Sequence, residues 1–163
     1  MKPEEKLKKL NIILPEVTKP IGSYVPCLII DNFAYISGQP PKLPDGSFAT
    51  GKIGDDIDLK TAQLHARQCG LSILSALKSE IDSLDRVEQV VKLTGFVSCK
   101  SDFYDQPKVI NGCSDLMLEI FDQKGVHSRS AVGANSLPMG ISVEIEAISV
   151  SYTHLTLPTK RIV

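Results

Sequence analysis

The segment Ile141-Ser-Val-Glu-Ile-Glu-Ala-Ile148 sets the first constraint on the fold, because Ile141, Val143, Ile145 and Ala147 alternate with Ser142, Glu144 and Glu146. A period of two puts one set on each side of a strand, so one side enters a core and the other meets solvent or a partner. Such a strand needs a sheet, and the chain supplies its other members. Residues 24–30 and 33–37 are β-rich runs joined by Asp31-Asn32, which reads as a hairpin. Residues 87–97 and 129–134 give two further strands.

Two helices fall between these strands. Asp58 caps a helix expected over 59–79, with Leu59, Ala62, Ala66, Cys69, Ile73, Ala76 and Leu77 on one stripe. A second is expected over 103–121, where Pro107 is tolerable only near the first turn and the stripe is Ile110, Cys113, Leu116, Met117, Ile120 and Phe121. The order is β-β-α-β-α-β-β, which predicts an α+β fold: a mixed sheet with both helices packed on one face. Residues 38–56 are dense in Gly, Pro and Asp and read as a long loop. We divide the chain into an N-terminal arm or short helix (1–12), one domain (13–150) and a tail (151–163). The tail has no periodic apolar face, and we expect it to be non-native or disordered.

Composition narrows the function. The formal net charge is −1 and no run of Lys or Arg could track a phosphate backbone, which argues against nucleic acid as a partner. No apolar stretch approaches the roughly 20 residues that span a bilayer. The first residues lack a signal-like apolar run, so a cytoplasmic location is expected. Cys27, Cys69, Cys99 and Cys113 form no CxxC pair, and His65, His127 and His154 are scattered, so we expect no metal site and read the cysteines as small apolar residues. Arg129 and Glu144 each fall on a strand, on the face expected to lie opposite its apolar set. An Arg there could grip a carboxylate and a Glu could activate water, although the pattern alone favours an ordinary cross-strand ion pair.

Three segments resemble the RidA/YjgF family: Tyr35-Ile-Ser-Gly-Gln39, Val90-Val-Lys-Leu-Thr94 with Phe96-Val97, and Arg129-Ser-Ala-Val, Leu137-Pro138 and Val143-Glu-Ile-Glu-Ala147. The resemblance covers about residues 13–148 and is most specific in the last segment. It implies a chorismate-mutase-like (YjgF-like) fold and a homotrimer with clefts between subunits. It implies enamine/imine deamination, in which 2-aminoacrylate and related imines yield 2-keto acids and ammonia without cofactor. Carried over, Arg129 binds the substrate carboxylate and Glu144 positions the attacking water. Gly38 offers backbone contacts, Tyr24 lines the cleft from the neighbouring chain, and Asn111 is a looser match to a family Asn. In this chain the loop 40–56 is longer, the amino-terminal arm is extra, and Ala131 stands where many relatives carry Cys. These departures mark a separate branch. A trimer that binds a 2-keto acid or amino acid without turnover is the alternative, and the family's endoribonuclease association fits the charge and aromatic content poorly.

Overall fold

A computed structural model describes residues 1–152 of the chain. Its elements run α1 (Pro3–Lys9), β1 (Cys27–Ile30), β2 (Phe33–Gln39), α2 (Leu59–Ile81), β3 (Val87–Ser98), α3 (Gln106–Phe121), β4 (Ser128–Ala134) and β5 (Val143–Ser151). The five strands form one mixed sheet in the order β1-β2-β5-β3-β4, in which β3 and β4 alone are parallel. After the hairpin, α2 carries the chain from β2 to β3, and β5 inserts between those two strands. The α+β order with α2 and α3 on one face is as the periodicity predicts. Leu93, Val97, Val143, Ile145 and Ala147 of the sheet join the helical stripes in one core. All four cysteines are free and buried.

The boundaries shift for local reasons. β1 starts at Cys27 rather than at 24, because Pro26 has no N–H to give to a ladder. α3 starts at Gln106 rather than at 103, with Pro107 in its first turn, where a missing N–H costs nothing. β5 starts at Val143 rather than at 141, since the Ser142 N–H donates to the Ala49 carbonyl in the long loop, at 3.2 Å. At its other end β5 runs past 148: Ser151 pairs with Val87, and the Tyr152 N–H donates to the Arg86 carbonyl at 2.9 Å. The tail therefore begins two residues later than the sequence suggested. Residues 153–163, with His154, lie outside the described residues.

The N-terminal arm is a docked helix. Glu4 accepts from the Leu84 N–H and pairs with Lys78 at 2.9 Å, and Leu7 enters the core. Beyond α1, the Ser75 hydroxyl on α2 donates to the Pro15 carbonyl at 2.7 Å. This contact covers Ser75, and α2 also buries Leu71, Ser72 and Leu74 in addition to its expected stripe. Where α2 crosses α3, a Cβ on Gly112 would run into the Gln63 carbonyl, so the helices meet backbone to backbone there.

Among the described residues, the second face of the sheet carries no helix. It displays Leu28, Tyr35, Glu146, Ile148 and Val132, and Leu28 is 50% exposed. A groove of about 480 Å³ crosses it between Leu28, Tyr35, Lys92 and Ile148. Among the described residues, no helix is long and apolar enough to cross a membrane.

Candidate functional site

The residues singled out by sequence form two groups rather than one. Tyr24, Gly38 and Glu144 line one cavity of about 150 Å³. Arg129 and Asn111 form the other group, joined by a 2.7 Å hydrogen bond from NH1 to Oδ1.

The first group is built on a break in strand pairing. β2 and β5 pair regularly as far as Ile36 and Ala147, then shift register before Gln39 and Ile145. Ser37 and Gly38 occupy this bulge, a device that re-aims a strand at a site. The Ser37 N–H and hydroxyl tie the bulge to the carbonyls of Pro26 and Val25, at 2.9 and 2.7 Å. Gly38 leaves the space in which Glu144 lies: a Cβ there would be 2.8 Å from Cδ of Glu144. Glu144 is thus pressed against bare backbone, half-buried. Burial, then the neighbouring Glu146, push its carboxyl above the ordinary carboxylate range. His65 on α2 pins the approach to β5 through Nδ1, 2.8 Å from the Ser142 hydroxyl, and burial lowers the proton affinity of its ring. Tyr24, 51% exposed, stands at the rim.

The second group lies on the other side of the sheet. Arg129 pairs with Leu93, and Leu93 points into the core beneath α3. Glu144 pairs with Phe96, which has the opposite parity. Arg129 does face away from Val132, but the expectation that this turns it away from the core side is corrected. β4 is an edge strand, and Val132, its largest apolar residue, is 46% exposed on the open face. Ala131 and Gly133 turn toward the helix with Arg129: Ala131 packs on the core, and a Cβ on Gly133 would lie 3.0 Å from Cys99 Sγ. Reading Val132 as a core residue reverses every side chain of the strand. Tyr24 lies apart from Arg129 and shares its own chain's cavity with Glu144.

Arg129 is partly buried against α3. Its NH1 donates to Asn111 Oδ1 and, at 3.1 Å, to the Ser114 hydroxyl. Asn111 and Ser114 are three residues apart and hence adjacent on one helix face. Cys113 between them is a buried thiol: desolvation raises it to about 12, against a smaller opposing effect of the Arg129 charge. Sequence reasoning missed Ser114 and set His127 aside for lack of a metal or triad pattern. His127 Nε2 lies 2.9 Å from the Ser114 hydroxyl. The available signal was that His127 stands two residues before Arg129, on its side of the chain. Among the described residues, no group of three or more His, Cys, Asp or Glu is placed to hold a metal.

The chain is an α+β protein whose helix-backed sheet carries a raised carboxyl on one face and a tethered guanidinium on the other. The chain matches the family model described as "YjgF/chorismate mutase-like, putative endoribonuclease" over residues 4–146, and it belongs to that family. It is 40% identical to the crystal structure of the protein Atu1372 from Agrobacterium tumefaciens, of unknown function, with a TM-score of 0.83 over 91% of this chain and 93% of that one. It is 38% identical over 143 residues to Protein TCP17 of Trypanosoma cruzi, covering 87% of this chain and 89% of the relative. A 2-iminobutanoate/2-iminopropanoate deaminase of Dermatophagoides farinae is 30% identical over 143 residues, 87% of this chain and 96% of that protein.

Proposed function

We propose that the chain is a deaminase of small 2-imino acids, such as the imine of 2-aminoacrylate, and that its site is completed between the subunits of a homotrimer. The observation that carries this reading is the pairing of a raised, half-buried carboxyl over a glycine bulge with an arginine tethered by one nitrogen. A carboxyl held above its ordinary range is better matched to moving protons near neutral pH. The arginine suits the carboxylate that every 2-imino acid carries. In the reaction, Glu144 takes a proton from water as its oxygen adds to the C=N carbon. That proton passes to nitrogen to complete the carbinolamine. As the C–N bond breaks, the new hydroxyl gives its proton by way of Glu144 to the departing nitrogen, leaving a 2-keto acid and ammonia. Orientation supplies most of such a rate. Because the two groups occupy opposite faces of one sheet, a second subunit must bring its Arg129 to the first subunit's Glu144. The exposed apolar residues of the open face support that assembly.

The test generates 2-aminoacrylate with a PLP-dependent dehydratase and follows keto-acid release. Wild type, Arg129→Ala and Glu144→Gln are compared with no added protein. Acceleration by wild type that both variants lose is the expected result. No acceleration by a folded trimer that binds pyruvate saturably would replace this reading with a non-catalytic binding protein.

A further inference from the structure

We propose that His127 and Ser114 are positioning residues that hold the Arg129 guanidinium with its Nε–NH2 edge turned to the ligand carboxylate; this rests on the function proposed above. The chain of hydrogen bonds fixes its own direction. His127 Nδ1 lies 2.6 Å from the Gly125 carbonyl, which can only accept, so Nδ1 carries the ring proton. Nε2 of the neutral ring is then an acceptor, and the Ser114 hydroxyl, 2.9 Å away, donates to it. With its proton so committed, Ser114 Oγ turns a lone pair to Arg129 NH1 at 3.1 Å. Asn111 Oδ1 takes the other NH1 hydrogen at 2.7 Å.

The consequence lies in what is left over. A guanidinium has five N–H donors in a rigid plane. Both hydrogens of NH1 are engaged, and Nε and NH2 make no bond among the described residues. Two parallel donors, one on Nε and one on NH2, are the pair that a carboxylate accepts side-on. Ser114 is only 8% exposed, so its hydroxyl sits where water competes little for these bonds. Without His127, Ser114 is free to donate elsewhere, and the plane of Arg129 loses one of two fixed points.

Two measurements separate this from the deaminase reading. The first needs no ligand. Long-range nitrogen–proton NMR on full-length protein should find neutral His127 protonated at Nδ1; protonation at Nε2 would overturn the proposal. In the same sample the two Nη signals of Arg129 should be resolved by slowed rotation. They should merge in His127→Ala and Ser114→Ala but stay resolved in His127→Gln, whose side-chain carbonyl can accept from Ser114. Unchanged Arg129 signals in a folded His127→Ala also overturn it. The second measurement is calorimetric binding of pyruvate. His127→Ala should raise Kd about tenfold, the effect of losing one hydrogen bond to a charged group, with kcat changed less than KM. In an Arg129→Ala background the same substitution should do nothing further; an equal loss there refutes action through Arg129. If wild type shows the expected spectra yet binds no pyruvate, the deaminase reading fails and the positioning chain stands.

Discussion

At the scale of single residues, Glu144 and Gly38 form one device. Burial and the adjacent Glu146 raise the Glu144 carboxyl, so the folded chain holds its proton to higher pH than the unfolded chain does. The sign follows: stability from this group is complete below the ordinary carboxylate range and is lost as pH rises through the folded value. Glu144→Gln, which keeps the shape and never ionises, should therefore melt higher than wild type at pH 7. The gap should close as pH falls toward 4, in paired thermal melts across that range. Gly38→Ala acts on the same carboxyl by contact. Its methyl would sit 2.8 Å from Glu144 Cδ, and the end of that side chain can swing away at small cost to the fold. Catalysis tolerates such a swing poorly, since a displacement of about 1 Å costs on the order of 100-fold. We expect near wild-type melting and a large fall in kcat in the coupled assay. A kcat within a factor of about three of wild type would remove Glu144 from the chemistry.

At the scale of elements, most of the fold was legible, because period and breakers report what each segment buries. The α2 stripe, the hairpin at Asp31 and the place of Pro107 all follow from residue type. What was not legible depends on neighbours. The face of β4 could not be read, because an edge strand can expose Val132 and cover Arg129 with a helix that its own pattern does not mention. The Tyr24, Gly38 and Glu144 set was found through motifs, yet its separation from Arg129 is a matter of register in β3 and β5. The end of β5 is a third case. Ser151 and Tyr152 have no apolar signature, and only their bonds to Asn32 and Arg86 show that they belong to the sheet. A chain ended after Tyr152 should keep the melting temperature of the full chain. One ended after Val150 loses both bonds and the Val87 pairing, and should melt several degrees lower by differential scanning calorimetry. Equal melting of the two would mean that the strand contributes nothing beyond Val150.

At the scale of the whole molecule, the sheet separates Arg129 from Glu144, so the proposed deaminase reading requires assembly. Arg129 sits under α3 on one face, while Glu144 projects from the other, and no side-chain rotation carries one through the sheet to meet the other. A neighbour's edge strand laid across the open face would cover Leu28, Tyr35 and Val132, and would bring a second guanidinium to the Gly38 bulge. Closed threefold symmetry would repeat that contact three times with no surface left over. The arrangement can be tested without imaging the trimer. Arg129→Ala keeps the glutamate half intact and Glu144→Gln keeps the arginine half intact, so each variant alone has three defective sites. When the two are unfolded together and refolded in equal amounts, a given interface receives an intact arginine half with probability one half and an intact glutamate half with probability one half. The product predicts recovery of about a quarter of wild-type activity from two inactive proteins. The recovered activity should track the formation of mixed trimers, followed by native mass spectrometry of differently labelled chains. If both halves of each site came from one chain, every site would keep its defect and mixing would restore nothing.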